Sequence, residues 1–135
     1  MPAQSTTVAR AYYAEFDTAP NLRRRLLDGE GVPLNLGITP NVATVTITIG
    51  HASYDYYYSP MTLIVEDGVC QVEDQADPLT VGYIQWQPLA GDLTPPGSMQ
   101  YRFKIVYSDG TVQHVPPHTY ETLIISTPVG GVTNP

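Results

Sequence analysis

The sequence predicts an all-β domain, and two observations carry that prediction. Thr44-Val-Thr-Ile-Thr-Ile49 puts Val45, Ile47 and Ile49 on one side and three threonines on the other. Tyr101-Arg-Phe-Lys-Ile-Val-Tyr107 does the same with Tyr101, Phe103 and Ile105 against Arg102 and Lys104. A period of two is that of a strand with one face buried and one wet. The second observation is punctuation. Thirteen Pro and eleven Gly in 135 residues cut the chain into short pieces, which suits short strands and disfavours long helices. The length is that of one domain with a sizeable core.

Taken in order, residues 1–9 are small and polar and read as an extended N-terminal arm. Ala11-Tyr-Tyr-Ala-Glu-Phe16 reads as a short edge strand, closed by an Asp17-Thr-Ala-Pro20 corner. Asn21 to Leu27 lies between turn residues and also reads as a strand, with Leu22, Arg24 and Leu26 on one face and Arg23, Arg25 and Leu27 on the other. Asp28-Gly-Glu-Gly31 is a turn, and Val32-Pro-Leu-Asn-Leu36 a short extended piece. Thr44–Ile49 is the cleanest strand, β-branched at every position and stopped by Gly50.

A tyrosine-dense loop, His51 to Pro60, comes next. Met61-Thr-Leu-Ile-Val65 and Val69-Cys-Gln-Val72 read as the two arms of a hairpin turned at Glu66-Asp-Gly68. Glu73 to Pro78 is an acidic loop. Val81 to Pro88 is a strand carrying Trp86, and Gly91-Asp-Leu-Thr-Pro-Pro-Gly97 is a corner. The long strand Ser98–Tyr107 turns at Ser108-Asp-Gly110, where a tight turn needs positive φ, and returns as Thr111–Val115. Tyr120–Ile125 is the last strand, and residues 127–135 read as a flexible tail. The expected body, residues 10–126, holds about seven to nine short strands. Turn signals at roughly 8–12-residue spacing fit a β-sandwich of immunoglobulin-like type. The expected core includes Val45, Ile47, Ile49, Trp86, Tyr101, Phe103 and Ile105.

Thirteen acidic against six basic residues give a formal charge of −7, which disfavours a nucleic-acid partner. No apolar run approaches the roughly 18 residues of a membrane-spanning helix, and the N-terminus shows no secretory signal. The expectation is a chain made in a cytoplasm that stays soluble or leaves inside a larger particle. Cys70 is the single cysteine, so an intrachain disulfide is ruled out, and it reads as a small buried side chain.

Candidates for chemistry are sparse. No Gly-x-Ser-x-Gly elbow is present. His51, His114 and His118 are scattered, and no third zinc ligand accompanies the last two. Asp67, Glu73, Asp74 and Asp77 offer oxygen donors for calcium, without the spacing of an EF-hand loop; a solvated acidic loop is the simpler reading. The expectation is therefore no enzyme, no cofactor and no resident metal. Arg23, Arg24 and Arg25 form the only basic run and are expected to pair with acidic groups of this or a neighbouring subunit. Tyr54, Tyr56, Tyr57 and Tyr58 are the compositional oddity. Tyrosine offers rigid contact area with a polar tip, so these four, with Arg23 and Arg25, are the candidate contact surface.

Three stretches together resemble a family: Asp17-Thr-Ala-Pro-Asn-Leu22 with Leu27–Leu36, Gly82-Tyr-Ile-Gln-Trp-Gln87 with Gly91–Gly97, and Tyr101–Thr111 with Pro116 and Ile124-Ile125. Their order is similar to that in the immunoglobulin-like N-terminal domain of phage baseplate upper proteins and related small virion proteins of actinobacteriophages. The resemblance spans about residues 16–126 and implies a structural protein of a tailed-phage virion, in a minor tail, baseplate or head–tail joining position. It implies other virion proteins, and copies of the chain itself, as partners. Capsid decoration is one alternative. A carbohydrate-binding module is another, with Tyr56, Tyr57, Tyr58 and an exposed Trp86 stacking on a host glycan.

Overall fold

The computed structural model describes residues 10–37, 43–51, 62–116 and 120–127. Among them are nine strands and no helix: β1 (Arg10–Ala14), β2 (Leu22–Arg25), β3 (Ala43–His51), β4 (Thr62–Val69), β5 (Gln71–Val72), β6 (Tyr83–Trp86), β7 (Gly97–Tyr107), β8 (Val112–Val115) and β9 (Glu121–Ser126). They form a large sheet in the order β1-β9-β7-β3-β4, with β8 also on β7, and a small sheet in the order β2-β6-β5.

The alternation seen in β3 and β7 does the positioning. β3 pairs antiparallel with β7 over its whole length, Ala43 opposite Tyr107 and His51 opposite Met99. Val45, Ile47, Ile49, Met99, Tyr101, Phe103 and Ile105 are all buried. Leu22, Ile84 and Trp86 of the small sheet belong to the same core cluster, as do Leu123 and Ile125 of β9. Two sheets sharing one core is an architecture consistent with a β-sandwich. Tyr101 and Phe103 meet edge to face, ring centroids 5.7 Å apart.

β7 is longer than either of its partners on one side. Its first half pairs with β9, Gly97 opposite Ile125, and its second half with β8, Phe103 opposite Val115. The β7–β8 turn is closed by Tyr107 N–H to the Thr111 carbonyl at 2.9 Å, with Gly110 at a φ of 92°. β1 pairs parallel with β9, Arg10 opposite Thr122 and Ala14 opposite Ser126, and forms one edge of the large sheet.

One expected element is corrected. Glu66-Asp-Gly68 is not the turn of a hairpin; β4 runs straight through it. The register against β3 slips there, from Ile47 opposite Gly68 to Ile49 opposite Val65, so an extra residue is accommodated on β4. Asp67 takes a φ of 53°. The residues that suit a turn here make a β-bulge, because both need backbone that bends with positive φ. The expected return arm also divides. Val69 ends β4 in the large sheet, Cys70 N–H bonds the Val45 carbonyl at 2.9 Å, and Gln71-Val72 joins β6 in the small sheet.

Candidate docking cleft between the sheets

A concave feature lies beside that crossing. β2 pairs with β6 over four residues, from Leu22 opposite Trp86 to Arg25 opposite Tyr83. On its other flank β6 is held from Tyr83 to Gln85: Glu73 N–H bonds the Tyr83 carbonyl at 3.0 Å, and Val72 and Gln71 pair with Ile84 and Gln85. Beyond Gln85 that flank has no strand partner among the described residues. A cleft of about 730 Å³ opens there, between the end of β4 and the Trp86–Asp92 segment. Its apolar lining includes Ile64, Val69, Trp86 and Leu89. Val69 is 77% exposed and Leu89 66%, whereas Trp86 is 2% exposed. Among the described residues Glu66 and Asp92 are its charged lining, and no Lys, Arg or His lines it. The Asp92 carboxylate also accepts the Leu89 N–H at 2.8 Å, holding the 89–92 turn.

Two details decide what this cleft can do chemically. Cys70 lines it but is buried, and that burial pushes its thiol up to about 12. At neutral pH the side chain stays a thiol, not the nucleophilic thiolate. Gly68 sits where a Cβ would stand 2.9 Å from Trp86 Nε1, so the β4 backbone packs directly on the indole.

The outer face of the small sheet carries Arg23 and Arg25. Alternation sends both outward, and both guanidinium groups lie over the Tyr83 ring, at 3.9 and 5.0 Å from its centroid. Arg23 grips Glu73 through Nε at 2.6 Å and Nη2 at 2.9 Å. That bond holds the Glu73 carboxylate below its usual range and raises the arginine. Arg25 donates to the Val81 and Pro78 carbonyls at 2.9 and 2.8 Å. Arg24, on the opposite face, reaches Glu121 of the large sheet. These arginines are thus engaged within the chain, and their outward surface is an aromatic–guanidinium plate rather than a free phosphate site.

The acidic loop is organised from inside. Gln75 is 9% exposed, and its Oε1 accepts the N–H groups of Leu36 at 3.0 Å and Gly82 at 2.8 Å, while Nε2 donates to the Glu73 carbonyl. It ties the loop to the 34–37 segment. Asp74 and Asp77 turn their carboxylates onto the N–H groups of Ala76 and Leu79. Among the described residues no three His, Cys, Asp or Glu side chains come together as a metal site. Sequence reasoning missed Gln75, since a lone glutamine between carboxylates carries no pattern.

His51 and His114 are exposed and lie on different strands, β3 and β8. Tyr54, Tyr56, Tyr57, Tyr58 and His118 lie outside the described residues, as do residues 1–9 and 128–135. The buried Trp86 is in no position to stack on a sugar, which removes the indole that the glycan alternative requires. Comparison of the chain with protein-family models, curated proteins and solved structures finds no match.

Proposed function

We propose that the chain is a structural subunit of a tailed-phage virion, in a minor tail, baseplate or head–tail joining position, with an immunoglobulin-like sandwich as its frame. It works through protein–protein contact and makes or breaks no covalent bond. The phage assignment is supported by the resemblance in motif order. The contact role is supported by one observation above the rest: β4 is an edge strand whose outer side has no partner among the described residues, beside a cleft with two exposed aliphatic side chains. An unpaired edge next to exposed apolar surface favours association, because a partner supplies backbone bonds and takes the apolar groups out of water.

Mass spectrometry of purified particles tests the reading. The chain is expected among the particle proteins, at a low copy number that matches a tail or neck position. A high copy number would move it to capsid decoration, and its absence from the particle would remove the proposal.

A further inference from the structure

We propose that the cleft between β4 and β6 receives an extended, cationic segment of a different protein, bound as an added strand. The inference rests on the contact role proposed above and names its partner chemistry. Three observations converge on it. β4 ends the large sheet and its outer side has no strand partner among the described residues, so backbone groups along that edge are available to an incoming chain. The walls beside it are apolar, with Val69 and Leu89 exposed and Ile64 half-buried. Among the described residues the charged lining is Glu66 and Asp92, both acidic, in a chain of net charge −7.

Each observation restricts the occupant. An unpaired strand flank selects an extended segment, since main-chain bonds then carry affinity whatever the side chains are. Alternate side chains of that segment point to opposite faces, so every second one meets the apolar wall and should be apolar. The remaining ones pass the acidic lining and should be Lys or Arg. Two copies of a chain at −7 repel each other, which argues against a second copy as occupant.

The probe is a short synthetic peptide alternating valine and lysine, labelled with fluorescein and followed by anisotropy against the full chain. Saturable binding that weakens with added salt is expected. A valine–glutamate peptide and a valine–lysine peptide interrupted by proline should each bind about tenfold more weakly or worse. Val69→Lys and Leu89→Lys lie on exposed positions, so both variants should keep the melting temperature while losing the valine–lysine peptide. No saturable binding, equal binding of the glutamate peptide, or unchanged binding by both variants would overturn the proposal. So would self-association of the unlabelled chain that Val69→Lys abolishes, because a second copy would then be the occupant. A chain present in particles but inert to the peptide would sink only this inference and leave the virion role standing.

Discussion

Arg24 Nε and Glu121 Oε1 stand 3.5 Å apart and join the two sheets through charge. Arg24 comes from β2 of the small sheet and Glu121 from β9 of the large one, with about a quarter of each side chain exposed. Neither atom has a hydrogen-bond partner. Deleting one partner leaves the other charge in a place where water reaches it poorly. Arg24→Met and Glu121→Leu, singly, should each cost about 1–3 kcal/mol in urea unfolding, and the double variant less than their sum. Strict additivity would show that the two groups are not coupled.

Tyr101 sits opposite Glu121 in the β7–β9 ladder, and its buried hydroxyl feels the charges of Glu121 and Arg24 without reaching either in hydrogen-bond geometry. Burial raises its ionisation well above the ordinary tyrosine range. Removing an unsatisfied buried hydroxyl removes a desolvation penalty and no bond. Tyr101→Phe is therefore expected to be at least as stable as the parent, within about 1 kcal/mol. A loss of several kcal/mol in the same assay would contradict the absence of a partner.

Gln75 satisfies two backbone donors, of Leu36 and Gly82, from a buried position. Gln75→Leu keeps the bulk and strands both. The expected loss is about 2–5 kcal/mol, the sum of two unsatisfied buried N–H groups. Amide hydrogen exchange at Leu36 and Gly82 should speed up before that of β7. Unchanged exchange at both amides would mean that the side chain does not hold the loop.

Gly68 leaves no room for a methyl group: Trp86 Nε1 and Val65 Cγ1 each lie 2.9 Å from the added Cβ. Gly68→Ala should destabilise by about 1–3 kcal/mol and shift the emission of Trp86. Gly29→Ala serves as control, because nothing lies within 4 Å of its Cβ. Equal melting temperatures for the two variants would show that β4 does not press on the indole.

The Arg23–Glu73 pair gives a pH signature. Glu73 ionises below its ordinary value in the folded chain, chiefly because of its hydrogen bond to Arg23. A depressed folded value means stability that is present above the unfolded value and is lost as pH falls through the folded one. Wild type should therefore melt higher than Glu73→Gln at neutral pH, and the two curves should converge in acid. The gap is small, because the pair is exposed, and it narrows further in salt. A gap that widened towards acid would reverse the assignment.

How far the fold was legible follows from which residues repeat a pattern. Val45, Ile47 and Ile49 announce β3 because each lies two positions from the next, and in the structure all three face the core. Leu22, Arg24 and Leu26 likewise share an inward side. Glu66-Asp-Gly68 could not be told from a turn, since bulge and turn ask the same backbone freedom of the same residue types. The jump at Cys70 from one sheet to the other is held by bonds to residues far away in sequence, Val45 on one side and β6 on the other, and leaves no local trace. The cleft inherits that opacity. Its lining comes from Asn21, the β4–β5 stretch, β6 and the 87–92 segment, which no spacing rule connects.

Parallel pairing of β1 with β9 has a mechanical consequence. Arg10 and Ser126 lie at opposite ends of the same ladder. A pull applied at these two residues stretches the pair lengthwise, so its backbone bonds are loaded together in shear instead of being unzipped one after another. A subunit held in tension between two neighbours would resist through that single seam.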